Sequence, residues 1–193
     1  MNWLGEIIQN HVQYNDTVLD LGCGIMQATT DTIEKSNRQK VGRIKKIVSG
    51  NYKPNVLRCR SLLGCEIVEK YLHRAKKYYP VIKFDLTKTK SFDMFMDKSF
   101  DVVMALDVIE HIEYSQTLRI IGQMERIARK KIIIYTPSTW MKNEENVDNA
   151  WGMGENPFQE HKCFIPPSRF QDWGYKVRFP EQSNNTLAIK VIK

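Results

Sequence analysis

The chain has 193 residues, of which 42% are hydrophobic and 26% are charged, and its formal net charge is +7. This length fits one globular domain with a sizeable core and excludes two full-sized domains. We find no apolar run long enough to cross a membrane and, near Glu6, no signal-peptide pattern. The four cysteines show neither a CxxC pair nor a disulfide-framework spacing, so we expect a reduced protein of the cytoplasm.

The first predicted elements alternate between helix and strand. Hydrophobic spacing predicts an amphipathic helix over residues 2–13, a short strand in "TVLDLG", and a helix over residues 26–35. The strands that follow are "SLLGCEI", "VIKFD" and "SFDVVMAL", and the last of these is apolar enough to be buried on both faces. A helix over "VEKYLHRAKKYY" separates the first two of them and ends at Pro80.

The second half of the chain continues the alternation. Ser115 is the expected cap of a helix that turns Leu118, Ile121, Met124 and Ile127 inward. A fifth strand, "KIIIYTP", stops at Pro137, and "GYKVRF" with "TLAIKVIK" is predicted to form a hairpin. The pattern predicts an α/β domain over residues 1–193, with helices on both faces of a mostly parallel sheet and one antiparallel strand near an edge.

Positive charge is concentrated in one stretch. No acidic residue lies between Ser36 and Leu63, while the basic residues there are Arg38, Lys40, Arg43, Lys45, Lys46, Lys53, Arg58 and Arg60. We expect an insertion at about 36–61 that is a solvated surface. Binding of phosphate or nucleic acid through residues 38–60 stays open as an alternative.

A Gly-x-Gly turn follows the first strand, at the edge of a parallel sheet where ligands bind. Gly22 and Gly24 would let the backbone approach a ligand, and Gln27 stands where a dinucleotide-binding turn requires its third glycine. Acids end three strands in succession: Asp20, Glu66 and Asp85. They suit a ligand with hydroxyl and amino donors and no phosphate, such as S-adenosyl-L-methionine. The alternatives are a simple tight turn, a helix cap at Glu66 and a lysine partner for Asp85.

Five segments, in order, resemble class I S-adenosylmethionine-dependent methyltransferases: "VLDLGCG", "LLGCEIVEKYLHRAKK", "FDL", "KSFDVVMALDVIEHI" and "KKIIIYTP". The resemblance implies a Rossmann-like sheet of seven strands in the order 3-2-1-4-5-7-6. It also implies a cofactor site made of Asp20, Gly22, Cys23 and Gly24 at the methionine end, Glu66 and Ile67 at the ribose, Asp85 and Leu86 at the adenine, and Ala105 with Leu106 beside the methyl group.

The acceptor side is predicted from two segments. "ALDVIEHI" stands in place of the N-P-P-Y type of signature and resembles methyltransferases that act on oxygen or carbon of small molecules, so we expect a small-molecule acceptor. The long segment 138–166 is the predicted lid, with an apolar wall of Trp140, Trp151 and Phe158 and a hinge at "GMG". His161 is the candidate base and Asp107 and His111 are further catalytic candidates. The alternative is that His161 bonds to a backbone carbonyl.

A metal site is the second possibility. Asp107, Glu110 and His111 would share one face of a helix, and with His161 they resemble the E-x-x-E-H…H ligands of methyltransferases that modify the 2′-hydroxyl at an RNA 3′ end. The ion would be Mn²⁺ or Mg²⁺. A similar sequence also occurs in family members that bind no metal, and Asp107 stands where the metal-binding motif has its first Glu. We therefore prefer a reaction without a metal. A non-catalytic module and a dehydrogenase are weaker alternatives.

Overall fold

The seven strands form one sheet in the order β3-β2-β1-β4-β5-β7-β6. The computed structural model describes residues 10–25, 59–77, 79–142, 156–180 and 183–193. The first five strands are parallel, and β7 runs antiparallel to both β5 and β6. The bounds are β1 Thr17–Leu21, β2 Ser61–Glu66, β3 Val81–Lys83, β4 Phe100–Leu106, β5 Ala128–Pro137, β6 Lys176–Arg178 and β7 Asn185–Val191. The expected strand order and the closing hairpin are confirmed.

Three α-helices and two 3-10 turns connect the described strands. The helices are α1 Glu69–Ala75, α2 Tyr114–Ile127 and α3 Pro167–Asp172. The 3-10 turns span Thr89–Met94 and Ile109–His111. Among the described helices, none has both the length and the hydrophobicity that a membrane-spanning segment requires.

Alternate side chains of the central strands build two separate cores. Leu19 and Val103 belong to the core that also contains Met124 of α2. Their strand neighbours Val18 and Val102 belong to the opposite core, which includes Leu72 and Ala75 of α1. Because successive strand residues point to opposite faces, this division explains why β4 is apolar almost throughout.

Several predicted details of the helices are wrong. Helix α2 begins at Tyr114 with Glu113 at the cap position, so Ser115 lies inside the first turn. Leu118 is 37% exposed, whereas Thr117 is fully buried. The inward face consists of residues 117, 120, 121, 124 and 127, and Leu118 lies about 100° around the helix from Thr117. Helix α1 ends at Ala75, well before Pro80, and α3 was not predicted.

Some predicted elements lie outside the described residues. Residues 2–9 of the helix predicted over 2–13 are outside the described part of the chain. Among residues 10–13, Asn10 and His11 are helical. The helix over 26–35, nearly all of the insertion at 36–61, Trp151 and the "GMG" hinge belong to ranges that the structure does not describe.

A buried carboxylate joins the starting ends of three central strands. The Asp101 side chain of β4 accepts hydrogen bonds from the Thr17 backbone N–H of β1 at 3.0 Å and from Arg129 Nε of β5 at 2.9 Å. Lys130 Nζ lies 3.1 Å from Asp101 and 3.0 Å from Asp16. Burial alone would raise the pKa of Asp101, but the bonds from Arg129, Thr17 and Lys130 together hold this pKa well below its usual range.

Replacing this carboxylate should destabilise the fold. We expect Asp101→Asn to lower the free energy of unfolding at neutral pH by about 1–3 kcal/mol, because Thr17 and two cations lose a charged acceptor. A carboxyl whose pKa is lowered on folding contributes its full stability above the unfolded pKa of about 3.9 and loses it as the pH falls below that value. Urea denaturation of both proteins from neutral to acidic pH should therefore show the difference shrinking in acid.

Asp97→Asn is the matched control, because Asp97 also pairs with an arginine but is 74% exposed. Its free energy of unfolding should stay within about 0.5 kcal/mol of the unchanged protein. Equal stability of the two variants would mean that the buried network contributes no more than a surface ion pair.

Candidate functional site

A cavity of about 510 Å³ opens at the carboxyl ends of the parallel strands. This volume lies within the range of roughly 300–1,000 Å³ that is usual for small-molecule sites. Its described lining is acidic: the charged residues are Asp20, Glu66, Asp85, Asp107, Glu110, Glu113 and Lys162. Six carboxylates against one lysine favour a ligand that carries positive charge and hydrogen-bond donors.

The turn after β1 forms the floor of this cavity. Gly22 and Gly24 have φ angles of 69° and 55°, which side chains other than glycine rarely adopt. A Cβ atom on Gly22 would lie 2.6 Å from Cγ2 of Val108, so no side chain fits there. The N–H groups of Gly22 and Cys23 both donate to the Cys65 carbonyl oxygen, at 2.9 and 3.0 Å. The turn is thereby fixed to the end of β2.

Glu66, at the end of β2, holds two loops together. Its carboxylate accepts a hydrogen bond from the Gly24 N–H at 2.8 Å and further bonds from the N–H groups of Ile67 and Val68 at 2.8 and 2.7 Å. Burial raises the pKa of Glu66 in spite of these three bonds. A carboxylate offers about four lone-pair positions, so it keeps capacity for a ligand hydroxyl. The alternative that Glu66 caps the following helix is not met, because its bonds reach Ile67 and Val68, which precede α1, and the structure shows no side-chain cap bond for this helix.

Asp85 follows β3 and organises its own turn. Its carboxylate accepts bonds from the Thr87 N–H at 3.0 Å and from the Thr87 hydroxyl at 2.6 Å, and Lys88 lies 3.5 Å away. Burial acts to raise the pKa of Asp85, but Thr87 and Lys88 together lower it, so the group is ionised at neutral pH. Asp85 and Leu86 both line the cavity. The lysine partner considered from the sequence exists, and it leaves Asp85 on the cavity wall.

The end of β4 brings two of its three predicted residues to the cavity. Leu106 and Asp107 line it, whereas Ala105 is 1% exposed and packs in the core. This corrects the prediction that the Ala105 side chain lines the site: alternate strand residues face opposite sides, and the side of Ala105 is covered. Asp107 has φ 55°, and its carboxylate accepts a hydrogen bond from Asn185 Nδ2 at 3.2 Å. Water reaches Asp107 through the cavity, but partial burial raises its pKa.

A cluster of three potential metal ligands lines the same cavity. Glu110, His111 and His161 each place a ligand atom within 4.8 Å of the other two. Asp107 does not belong to this cluster, which corrects the predicted four-residue set. The helix face that Asp107, Glu110 and His111 were predicted to share does not form. The backbone of Asp107 adopts a left-handed conformation, and Glu110 and His111 lie on a 3-10 turn.

Burial sets the protonation of this cluster. Glu110 is 4% exposed, and burial, followed by the charge of Asp107, raises the pKa of its carboxyl to about 8. Burial, followed by the charge of His161, lowers the pKa of His111 to about 4. His111 is therefore a neutral imidazole at neutral pH, and Glu110 is largely protonated unless a cation lies beside it.

The segment that carries His161 is fixed to the 3-10 turn by backbone bonds. The N–H groups of Lys162 and Cys163 donate to the Glu110 carbonyl oxygen at 2.7 and 3.1 Å. The Nδ1 atom of His111 lies 3.2 Å from the Glu160 carbonyl oxygen. The Nδ1 atom of His161 lies 2.7 Å from the Met141 carbonyl oxygen, so the carbonyl contact considered from the sequence is present.

Part of the predicted lid reaches the cavity. Phe158 and Met141 line it, but Trp140 is 53% exposed and is not among the lining residues. The apolar wall is therefore built from Met141 in place of its neighbour Trp140, since consecutive residues point in different directions.

Three supporting residues were missed by sequence reasoning. The Thr136 hydroxyl donates to Glu110 Oε2 at 3.0 Å, and Asn185 bonds to Asp107. The buried Thr117 hydroxyl contacts the carbonyl oxygens of Ile109 and Ile112 at 3.1 and 3.2 Å. Asn185 had one available signal: an antiparallel β7 must begin beside the carboxyl end of β5, where it pairs with Pro137.

Comparisons with known proteins agree with this geometry. Residues 47–135 match a family model described as a methyltransferase domain. A search of curated protein sequences finds no match to the chain.

Solved structures with similar folds are methyltransferases of low sequence identity. One is magnesium protoporphyrin IX methyltransferase from Synechocystis PCC 6803 with bound S-adenosylmethionine, at 12% identity and TM-score 0.56 over 98% of this chain and 76% of that one. The CurJ carbon methyltransferase matches 98% of this chain and 53% of its own chain, at 12% identity and TM-score 0.62. An O-methyltransferase family protein from Burkholderia thailandensis matches 98% of this chain and 54% of its own chain, at 15% identity and TM-score 0.59. Likeness at these identities shows the fold.

The residues of the cavity fit S-adenosylmethionine. This molecule carries an ammonium group, a positively charged sulfur, two ribose hydroxyls and an adenine amino group, and it has no phosphate. The acidic lining complements those charges and donors. The missing side chain at Gly22 lets the turn pack directly against Val108, and the backbone of Gly22 and Gly24 lines the cavity beside the carboxylates.

Loss of the Glu66 charge should weaken cofactor binding. A glutamine at this position would direct an NH₂ group at a backbone N–H that now has an acceptor. We expect Glu66→Gln to weaken binding of S-adenosylhomocysteine, measured by calorimetry, by about 1–3 kcal/mol. Glu69→Gln is the control, since Glu69 is 67% exposed and pairs with Lys83 away from the cavity. An unchanged dissociation constant in Glu66→Gln would remove Glu66 from the cofactor site.

Proposed function

We propose that this chain is a class I S-adenosylmethionine-dependent methyltransferase that transfers the methyl group to an oxygen or carbon atom of a small-molecule acceptor. The observation that carries the proposal is a single cavity, which runs from Gly22 and Glu66 to Asp107 and His111. Cofactor and acceptor would share this cavity, and its lining includes side chains that can accept a proton, Asp107 and His161 among them. The cavity volume of about 510 Å³ is in the usual range for small-molecule sites.

The chemistry divides between ligand and protein. S-adenosylmethionine supplies a methyl group on a cationic sulfur, which keeps the electron pair when the bond to carbon breaks and the bond to the acceptor forms. The protein holds the acceptor in line, excludes water and removes a proton. The described parts of the segment 138–166, Met141 and Phe158 among them, support its proposed role as a cover for the acceptor within a single domain.

Asp107 is our candidate for the proton acceptor. Its backbone N–H donates to the Tyr135 carbonyl oxygen at 2.8 Å, and Asn185 holds its carboxylate. The raised pKa brings the carboxyl closer to the operating pH, where a general base is most effective. His161, the base expected from the sequence, stays a prediction, and its basic atom would be Nε2 because Nδ1 contacts a carbonyl.

The 2′-hydroxyl of an RNA 3′ end is a second candidate acceptor. The observation in its favour is the cluster of Glu110, His111 and His161, which resembles three ligands of the metal-dependent RNA enzymes. The basic stretch 38–60 that would contact phosphates lies outside the described residues.

Transfer of labelled methyl groups separates the two acceptors. The protein is incubated with S-adenosylmethionine carrying a radioactive methyl group, together with either a metabolite fraction of low molecular mass or total RNA. We expect label in the small molecules and none in RNA. Label confined to RNA would contradict the small-molecule proposal and establish the second candidate.

The role of Asp107 predicts a selective loss of turnover. We expect Asp107→Asn to lower kcat by about 100-fold or more, since removing a general base typically costs a factor of 10²–10⁴. The dissociation constant of S-adenosylhomocysteine should change little. Asp93→Asn, which removes an exposed carboxylate that does not line the cavity, should leave kcat unchanged. Normal turnover in Asp107→Asn would exclude Asp107 as the base.

A further inference from the structure

We infer that Glu110, His111 and His161 bind a divalent ion of the first transition row on the acceptor side of the cavity. The three ligand atoms lie within 4.8 Å of one another. Two atoms that each bind one ion at about 2.1 Å are at most about 4.2 Å apart, so side-chain movements below an ångström would close the site. The ring centroids of the two histidines are 4.9 Å apart, which places both imidazoles against the same small volume.

The hydrogen bonds of the histidines prepare both rings for a metal. A carbonyl oxygen can only accept, so the Nδ1 atoms that contact Glu160 O and Met141 O must carry the hydrogen of each neutral ring. The lone pair of His111 and of His161 is then on Nε2. Metal-binding histidines almost always bond their second nitrogen to a carbonyl or a carboxylate in this way, because the bond fixes the tautomer and the ring orientation.

The carboxylate ligand is oriented by similar contacts. Thr136 donates to one Glu110 oxygen, at 3.0 Å. The Glu110 backbone carbonyl accepts bonds from Lys162 and Cys163, the two residues after His161. These bonds tie the 3-10 turn, which carries two ligands, to the segment that carries the third. The geometry of the cluster is thus built into the backbone.

A bound cation would also resolve an electrostatic problem. Glu110 is 4% exposed, and in the described part of the chain it forms no salt bridge with a lysine or arginine. Ionising a buried carboxylate without a positive partner is costly, while a divalent ion stabilises it. The nearby Asp107 adds further negative charge.

The ligand types select among metals. Two imidazole nitrogens and one carboxylate favour Mn²⁺, Fe²⁺, Co²⁺ or Zn²⁺, whereas Mg²⁺ and Ca²⁺ prefer oxygen ligands throughout. Three protein ligands leave at least one coordination position open, as in catalytic sites. All three residues line the cavity, so the open position would face the acceptor.

This site narrows the proposed function, on which this step rests, to hydroxylated acceptors. The ion, held by Glu110, His111 and His161, would lower the pKa of an acceptor hydroxyl, and Asp107 would take the proton of that hydroxyl. The oxygen then forms its bond to the methyl carbon as the sulfur–carbon bond breaks, and the sulfur keeps the electron pair and becomes a neutral thioether. The ion neither gains nor loses electrons. An acceptor with two neighbouring oxygens would hold the ion best.

Cobalt binding tests the site directly. The full chain, freed of metal with EDTA, is titrated with Co²⁺ and followed by visible absorption and calorimetry. We expect one ion per chain, and at least about a tenfold weaker affinity in His111→Ala and in His161→Ala. His73→Ala is the control, because His73 is an exposed histidine of α1 that does not line the cavity, and its affinity should be unchanged. S-adenosylhomocysteine binding reports that each variant is folded.

The outcomes separate the metal site from the proposed function. No uptake of Co²⁺, or equal uptake by all four proteins, would overturn the metal site and leave methyl transfer to small molecules untouched. Metal uptake that depends on His111 and His161, with label transfer to hydroxylated acceptors that EDTA abolishes and Mn²⁺ restores, would support both. Transfer that is indifferent to EDTA would overturn the role of the ion. Metal uptake without labelled small molecules would refute the acceptor class alone.

Discussion

The close contact between Gly22 and Val108 sets the distance between the two ends of the cavity. A Cβ on Gly22 would lie 2.6 Å from a Val108 methyl group, so the turn after β1 is seated directly on the residue before the Ile109–His111 turn. The first of these turns belongs to the cofactor end and the second carries Glu110. The strands β1 and β4 that lead into these turns are also neighbours in the sheet. In the proposed function, these backbone and apolar contacts would fix the methyl donor and the acceptor relative to each other.

Electrostatics then divides the cavity into two regions. At the cofactor end, Glu66 is surrounded by backbone N–H groups and Asp85 by Thr87 and Lys88, so both carboxylates have partners before any ligand binds. Beside His111, the Glu110 carboxylate accepts bonds from the Thr136 hydroxyl and from the backbone N–H groups of Val108 and of Glu110 itself, but it is almost fully buried and Asp107 adds negative charge. The first arrangement receives hydrogen-bond donors, and the second requires a proton or a metal ion.

Sequence patterns predicted the sheet because local rules determine it. The apolar run of β4 and the strand-end acids follow from alternation and from the geometry of parallel sheets, which bring Asp20, Glu66 and Asp85 to one cavity. The polar supports were harder to predict. Asn185 reaches Asp107 only because β7 runs antiparallel to β5. Thr117 can be buried because its hydroxyl donates to two backbone carbonyl oxygens. Contacts between residues so far apart in sequence leave no periodic signal.

The left-handed conformation of Asp107 decides what the "DVIEH" segment can do. In an α-helix, Asp107 would lie one turn from Glu110 and His111 and would be a fourth ligand of the same site. With φ 55°, its carboxylate turns to Asn185 and stays outside the cluster. A carboxylate bound to a metal is a weak base, because the ion holds its lone pairs. Separation from the proposed ion would therefore leave Asp107 able to act as the proposed proton acceptor. In the proposed reaction, this one backbone angle would let neighbouring residues perform two tasks: Glu110 and His111 would bind the cation, and Asp107 would take the proton of a hydroxyl bound to it.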